Sequence, residues 1–289
     1  MRILITGSKG QLGNEIQELA AAYPNYKFFY TDIGELDITD SREVKGYFAM
    51  VRPHVVINCA AYTAVDKAES DLSTAFLINS KAVENLAISA AETDALLVHV
   101  STDYVFDGKS YIPYSETDQT NPQSVYGRSK LAGEEAVWNY SKKGIILRTS
   151  WLYSAFGNNF VKTMIKYGTE REVLNVVFDQ IGTPTYAKDL AKTILDIIPL
   201  SIQHSGTELF HYSNEGVASW FDFAVKVIAN AGINCKVKPI MTKDFPSAAP
   251  RPCFSVLNKS KIKEVFKIEI PYWSDSVNDC IQRLKLSTN

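Results

Sequence analysis

Short apolar runs alternate with longer amphipathic stretches along the first half of the chain. The runs at Arg2–Thr6, Lys27–Thr31, Val55–Cys59, Leu96–Ser101 and Ile145–Thr149 predict strands. Between them, Gln11–Ala22, Arg42–Val51, Leu72–Glu92 and Val125–Ser141 carry the helical period. Strands alternating with helices predict βαβ units and a parallel sheet. The strands lack a clean period of two, as expected when both sheet faces are covered. After Ser150 the rhythm loosens. Asn159–Tyr167, Ala187–Ile198 and Val217–Ala231 predict helices, the last closed by Gly232. Val173–Val177, Leu209–Tyr212 and Val237–Ile240 predict strands, and the run Phe245 to Pro252 predicts a Pro-rich loop. No regular element is predicted beyond it.

The first chemical motif sits at the first strand-to-helix junction. Gly7, Gly10 and Gly13 form a G-x-x-G-x-x-G loop, one residue longer than the usual dinucleotide fingerprint. Gly7 suits the tight turn, Gly10 a close backbone approach to a pyrophosphate, and Gly13 close helix–strand packing. The following helix N-terminus favours phosphate. A Gly-rich turn alone would be weak. Asp32 ends the second strand at roughly the 20-residue distance where an acid meets the adenosine ribose. It argues for NADH over NADPH, although Thr31, Lys9 and Arg42 are near enough in sequence to offset it. These features predict an α/β, Rossmann-type doubly wound parallel sheet. Residues 1–150 would form the NAD(P)-binding domain, with a later segment returning to it. Residues 151–289 would form a smaller C-terminal α/β substrate-binding lobe.

A second group lies at later strand ends. Asn58 to Thr63 is small-residue-rich and suits a cofactor lying over the sheet edge, though simple close packing would use the same residues. Tyr126 and Lys130 stand four apart on one helical face. Reduction of a ketone leaves an alkoxide that needs a proton. A tyrosine can donate it, and a lysine cation beside it pulls the phenol down from near ~10. Thr102 follows another strand, where its hydroxyl can polarise a carbonyl and steady the phenol. A Y-x-x-x-K string is common on solvated helices. Its place after the glycine loop and beside a strand-end threonine favours chemistry.

Composition adds exclusions. With 289 residues, 46% apolar and 21% charged, the chain is ordinary globular material with a net charge of −2. No basic block suggests nucleic acid. Cys59, Cys235, Cys253 and Cys280, and His54, His99, His204 and His211, show no metal-ligand spacing, so no metal is expected and the histidines read as structural. The opening Arg2–Thr6 run is too short for a signal peptide, and no stretch reaches membrane-span length. The expectation is a cytoplasmic protein.

The chain resembles the extended short-chain dehydrogenase/reductases, and among them the dTDP-4-dehydrorhamnose reductase family, nearly end to end. The most specific stretches are Ala60–Glu69, Ser101–Gly108, Tyr126–Glu134, Arg148–Trp151 and Asp179–Thr185. Arg251-Pro252, Ser255 and Leu257 fit the family's late pattern. The resemblance implies NAD(P)H-dependent reduction of the C4 ketone of dTDP-4-dehydro-L-rhamnose, within nucleotide-sugar and cell-surface polysaccharide synthesis. Tyr126 would be the proton donor, Lys130 its partner and a ribose ligand, and Thr102 the tuning hydroxyl. Gly10, Gln11 and Leu12 would meet the pyrophosphate. Asp32, Asp37 and Ile38 would lie by the adenosine, and Ala60, Ala61, Tyr62 and Thr63 along the cofactor, NADPH or NADH. Thr102, Asp103, Tyr126 and Trp151 would line the sugar pocket, although Trp151 also reads as a core aromatic. Asn158, Asn159 and Arg251 are weaker candidates for the nucleotide, and for Arg251 a structural ion pair is an equal reading. A nucleotide-sugar epimerase or dehydratase is an alternative, as is a regulatory subunit like that of methionine adenosyltransferase. A dehydratase would carry Glu where Tyr104 stands. A homodimer stays open.

Overall fold

The computed structural model describes residues 1–203 and 205–286; His204, read above as structural, lies outside the described residues. Six parallel strands build the central sheet: β1 (Arg2–Thr6), β2 (Lys27–Tyr30), β3 (Val55–Asn58), β4 (Leu96–Thr102), β5 (Lys143–Thr149) and β6 (Gly206–His211). Their spatial order is β2-β1-β3-β4-β5-β6, with Ile3 opposite Val55 and Val98 opposite Ile145. The order reverses direction between β1 and β3. That switch point opens a crevice at the strand ends, where ligands bind in open α/β sheets.

Apolar clusters cover both faces, which explains the missing period of two. One joins Ile3, Ile57, Val98 and Leu147 to the helices Gln11–Leu19 and Ala187–Ser201. The other joins Leu4, Val56, Leu97 and Ile146 to Ser41–Val51 and Ala82–Glu92. The sixth strand and the helix before it come from beyond residue 150, so the chain returns to the sheet after starting a second lobe. That helix continues past Ile198 through Pro199 to Ser201. Pro199 has no N–H for the Leu195 carbonyl, and the Tyr26 hydroxyl donates to that carbonyl instead, at 3.4 Å.

The second lobe packs around Tyr153, Tyr186 and Phe223. Its strands pair in twos: Val173–Val177 with Lys236–Ile240, Leu152–Tyr153 with Thr185–Tyr186, and Ile181–Gly182 with Ala218–Ser219.

Four elements differ from expectation. The Leu72–Glu92 helix is broken by a π-helical turn at Leu77–Lys81. The helix expected from Val217 starts at Trp220, because Ser219 and Asp222 form a capping box there. Beyond the Pro-rich loop, the structure adds helices at Ser260–Phe266 and Trp273–Leu286. The second buries Trp273, Val277, Cys280 and Ile281, an amphipathic spacing visible in the sequence.

Candidate active site

Gly7 adopts a left-handed φ of 63°. A Cβ on it would lie 2.6 Å from the Ala60 backbone, so the loop and the end of β3 touch directly. A Cβ on Gly13 would meet Ser8 Cα at 2.5 Å, so the close approach expected against a strand is instead against the turn itself. At Gly10 only the Gly7 carbonyl comes near, and Gly10 caps the Gln11–Leu19 helix without any side-chain hydrogen bond. The first-turn N–H groups are therefore left for an anion. This backbone cradle fits the pyrophosphate of a dinucleotide.

A groove of about 530 Å³ runs from this loop over the strand ends. Gly7, Gly10, Asp32, Asp37, Ile38, Ala60 and Ala61 line it, with Lys9 and Leu77. Asp32 braces the loop, accepting the Lys9 backbone N–H at 3.0 Å. The groups that might offset its charge are engaged: Lys9 pairs with Glu35 at 3.0 Å, Arg42 pairs with Asp40, and Thr31 donates to the Ile5 carbonyl. Asp37 accepts from both the backbone and hydroxyl of Thr39. Gln11, Leu12, Gly13, Tyr62 and Thr63 do not line the groove. Leu12 points into the core, and Gln11 accepts from Asn159 at 3.0 Å. Thr63 is exposed, and Tyr62 packs with Val125 and Tyr126.

Tyr126 and Lys130 lie on the Val125–Tyr140 helix. Ser124 caps that helix through the Gly127 N–H, and Glu69 accepts the Val125 N–H at 2.8 Å. Tyr126 is half-buried and meets Tyr104 edge-on, with centroids 5.5 Å apart. Burial pushes its phenol well above the ordinary value of 10, while the Thr102 hydroxyl works the other way. Lys130 is buried and donates to the Val100 carbonyl at 2.7 Å. Burial brings its ammonium down to about 8, opposed by Glu134. The expectation that Lys130 lowers the phenol is thus not met: the chain's own groups leave Tyr126 firmly protonated, as a proton donor requires.

Thr102 ends β4 and donates to Asp103 at 3.0 Å. Asp103 is buried, and burial pushes it up to about 6 against the Ser255 and Thr102 hydroxyls, which favour its charged form. Trp151 has a left-handed φ of 47°, costly for a bulky residue and typical of functional sites. Its ring stacks on Trp220 at 3.7 Å. A second cleft of about 590 Å³ opens beside this group, lined by Tyr104, Tyr167, Arg171, Gln180, Trp220 and Arg251 among others. Arg251 pairs with Asp66 at 2.6 Å, and Asp66 also accepts the Ala249 N–H. Asn159 is committed to the Phe160–Glu170 helix, where it caps Lys162.

Sequence reasoning missed Asn79, Glu69 and Glu134 as site-forming residues. Asn79, inside the π turn, accepts the Tyr62 N–H, donates to the Tyr62 carbonyl and donates to Ser129 of the Tyr126 helix. π turns concentrate at functional sites. The signal was a polar residue on an otherwise apolar stretch. Among the described residues, no cluster of His, Cys, Asp and Glu could hold a metal, and no helix is long and apolar enough to cross a membrane.

The family profile described as RmlD substrate binding domain matches residues 1–286. A dTDP-4-dehydrorhamnose reductase of Aggregatibacter actinomycetemcomitans is 40% identical, over 96% of this chain and 97% of its own length. This chain belongs to the dTDP-4-dehydrorhamnose reductase family. A solved dTDP-4-dehydrorhamnose reductase from Clostridium acetobutylicum superposes with a TM-score of 0.94 at 44% identity, covering 99% of this chain and 100% of that one. One from Bacillus anthracis, solved with NADP, gives 0.93 at 40% identity, covering 98% and 99%. The fold class read from the sequence is that of these structures.

Proposed function

We propose that the protein reduces the C4 ketone of dTDP-4-dehydro-L-rhamnose to give dTDP-L-rhamnose, using NADPH or NADH. The observation that carries this is one meeting point. The Thr102 hydroxyl meets the Tyr126 phenol, with Lys130 one turn further along the same helix, in a full-length member of the reductase family. Bound in the groove, the coenzyme supplies hydride to the ketone carbon.

The chain's own residues do the rest. The backbone at Gly10, Gln11 and Leu12 holds the pyrophosphate, and Asp32 takes the adenosine ribose. Ala60 and Ala61, which line the groove, border the coenzyme beyond it. Lys130 reaches a ribose hydroxyl, giving up its Val100 carbonyl contact in part. Thr102 polarises the ketone oxygen, and Tyr126 donates its proton there as charge develops. Asp103 and Trp151 position the sugar. Arg171 and Arg251 are the cations available to a nucleotide diphosphate in the second cleft.

Residues 1–150, joined by the segment that ends in β6, act as the cofactor lobe, and the remainder as the substrate lobe. A cytoplasmic location fits this role. A homodimer is compatible with it, and light scattering decides.

The test is coenzyme oxidation followed by absorbance, with the keto-sugar made in situ and the product separated by chromatography. Coenzyme consumption with dTDP-L-rhamnose appearing is the expected result. Coenzyme binding without turnover would move the assignment to another nucleotide sugar, or to a binding subunit.

A further inference from the structure

One buried carboxylate lies behind the proposed catalytic group and is not used by it. Glu134 follows Lys130 by one helical turn, as Lys130 follows Tyr126, so the three share a helix face. Three elements converge on it. Ser101 of β4 donates to Glu134 Oε1 at 2.5 Å. Arg148 of β5 donates through Nε at 2.9 Å and through Nη2 at 2.6 Å, a forked contact. Both ends of this pair are almost fully buried. Arg148 also lies over the Phe106 ring at 5.0 Å.

The neighbours of the network are functional. Ser101 precedes Thr102, and the carbonyl of the residue before it, Val100, holds Lys130 Nζ. Arg148 is followed, within three residues, by Trp151. We propose that Glu134 is a positioning residue for the reaction. It pins the ends of β4 and β5 to the Tyr126 helix and keeps a negative charge beside Lys130, so that the lysine meets the coenzyme as a cation. This rests on the reductase reading above.

The charged and titratable groups around Lys130 support the assignment. On its own helix these are Tyr126 and Glu134. From β4 comes His99, which burial and the Lys130 charge hold neutral. From β5 comes Arg148, on the far side of the Glu134 carboxylate. Glu134 is thus the anion that opposes the effect of burial on the Lys130 ammonium. A carboxylate this well bound is costly to bury, so its retention beside a lysine calls for a use beyond stability.

The decisive measurement is the ionisation of Lys130 itself. Lysine enriched with ¹³C at Cε is followed by NMR from pH 6 to 10, the signal assigned by its absence in Lys130→Arg. Wild type should titrate near pH 8. Glu134→Gln should move the midpoint down by about one pH unit, and the alkaline limb of kcat should move with it while KM changes little. Glu134→Asp keeps the charge and should return the midpoint towards wild type. If Glu134→Gln does not fold, Glu134→Gln with Arg148→Met removes both buried charges together and should shift the midpoint the same way. A midpoint unmoved in the folded variant overturns the inference. Because the titration needs no sugar substrate, a wild type that titrates as expected yet reduces no keto-sugar would count against the proposed function alone.

Discussion

At the scale of single residues, the phenol and the acid at the ribose end make separable claims. Burial raises the Tyr126 phenol and favours its protonated form, the form a proton donor starts from. Tyr126→Phe removes only that hydroxyl. Coenzyme affinity should hold while turnover falls by about 10²–10⁴-fold, the scale of one general acid; near-normal turnover in the stopped assay would remove Tyr126 from the mechanism. Asp32 faces the groove, and the neighbouring cations Lys9 and Arg42 are already paired. Asp32→Ala should therefore raise the NADPH-to-NADH ratio of kcat/KM by roughly tenfold, the scale of one charge-assisted contact. An unchanged ratio would mean the carboxylate serves only to brace the Lys9 backbone.

At the scale of elements, the Val125–Tyr140 helix is the part everything else adjusts. Its N-terminus is held by Ser124 and Glu69, and its side by Asn79 in the π turn. A Cβ on Gly133 would fall 2.2 Å from the Asn79 carbonyl, so helix and π turn pack backbone to side. Glu69 comes from the short helix region that follows Tyr62 and Thr63. It thereby ties that segment to the start of the Tyr126 helix. Glu69→Gln keeps the shape and loses the charge against the helix dipole. It should lower stability by about 1 kcal/mol, a melting shift of a few degrees, with a larger proportional drop in kcat. A stability loss with kcat intact would make Glu69 a cap and nothing more.

At the scale of the molecule, the two lobes are clasped through the glycine-loop helix. Glu15 on that helix is completely buried. It accepts from Ser154 at 2.6 Å and from Arg283 of the Trp273–Leu286 helix at 2.8 Å. Arg283 also bonds Glu18 and donates to the Tyr186 hydroxyl at 2.5 Å. Removing one partner strands a buried charge, which costs about 3–5 kcal/mol. Arg283→Met should therefore lower the melting temperature sharply and weaken coenzyme binding. Glu15→Gln in the same chain should recover much of the stability. Full additivity of the two substitutions in calorimetry would show that they are not coupled.

What the sequence by itself determined was most of the short-range structure of the first half of the chain. The strand, glycine loop and helix at residues 2 to 19 follow from local period and turn chemistry. The Tyr126/Lys130 face follows from a spacing of four. Only the tertiary structure decided which distant groups meet and which are buried. Asn79 with Tyr62, Asp66 with Arg251, Glu134 with Arg148 and Glu15 with Arg283 are pairings that no local spacing announces. Burial also shifted the titration of Tyr126, Lys130 and Asp103 away from their ordinary values. The reason is physical: backbone periodicity is encoded residue by residue, whereas desolvation and charge pairing depend on what the whole chain packs around each group.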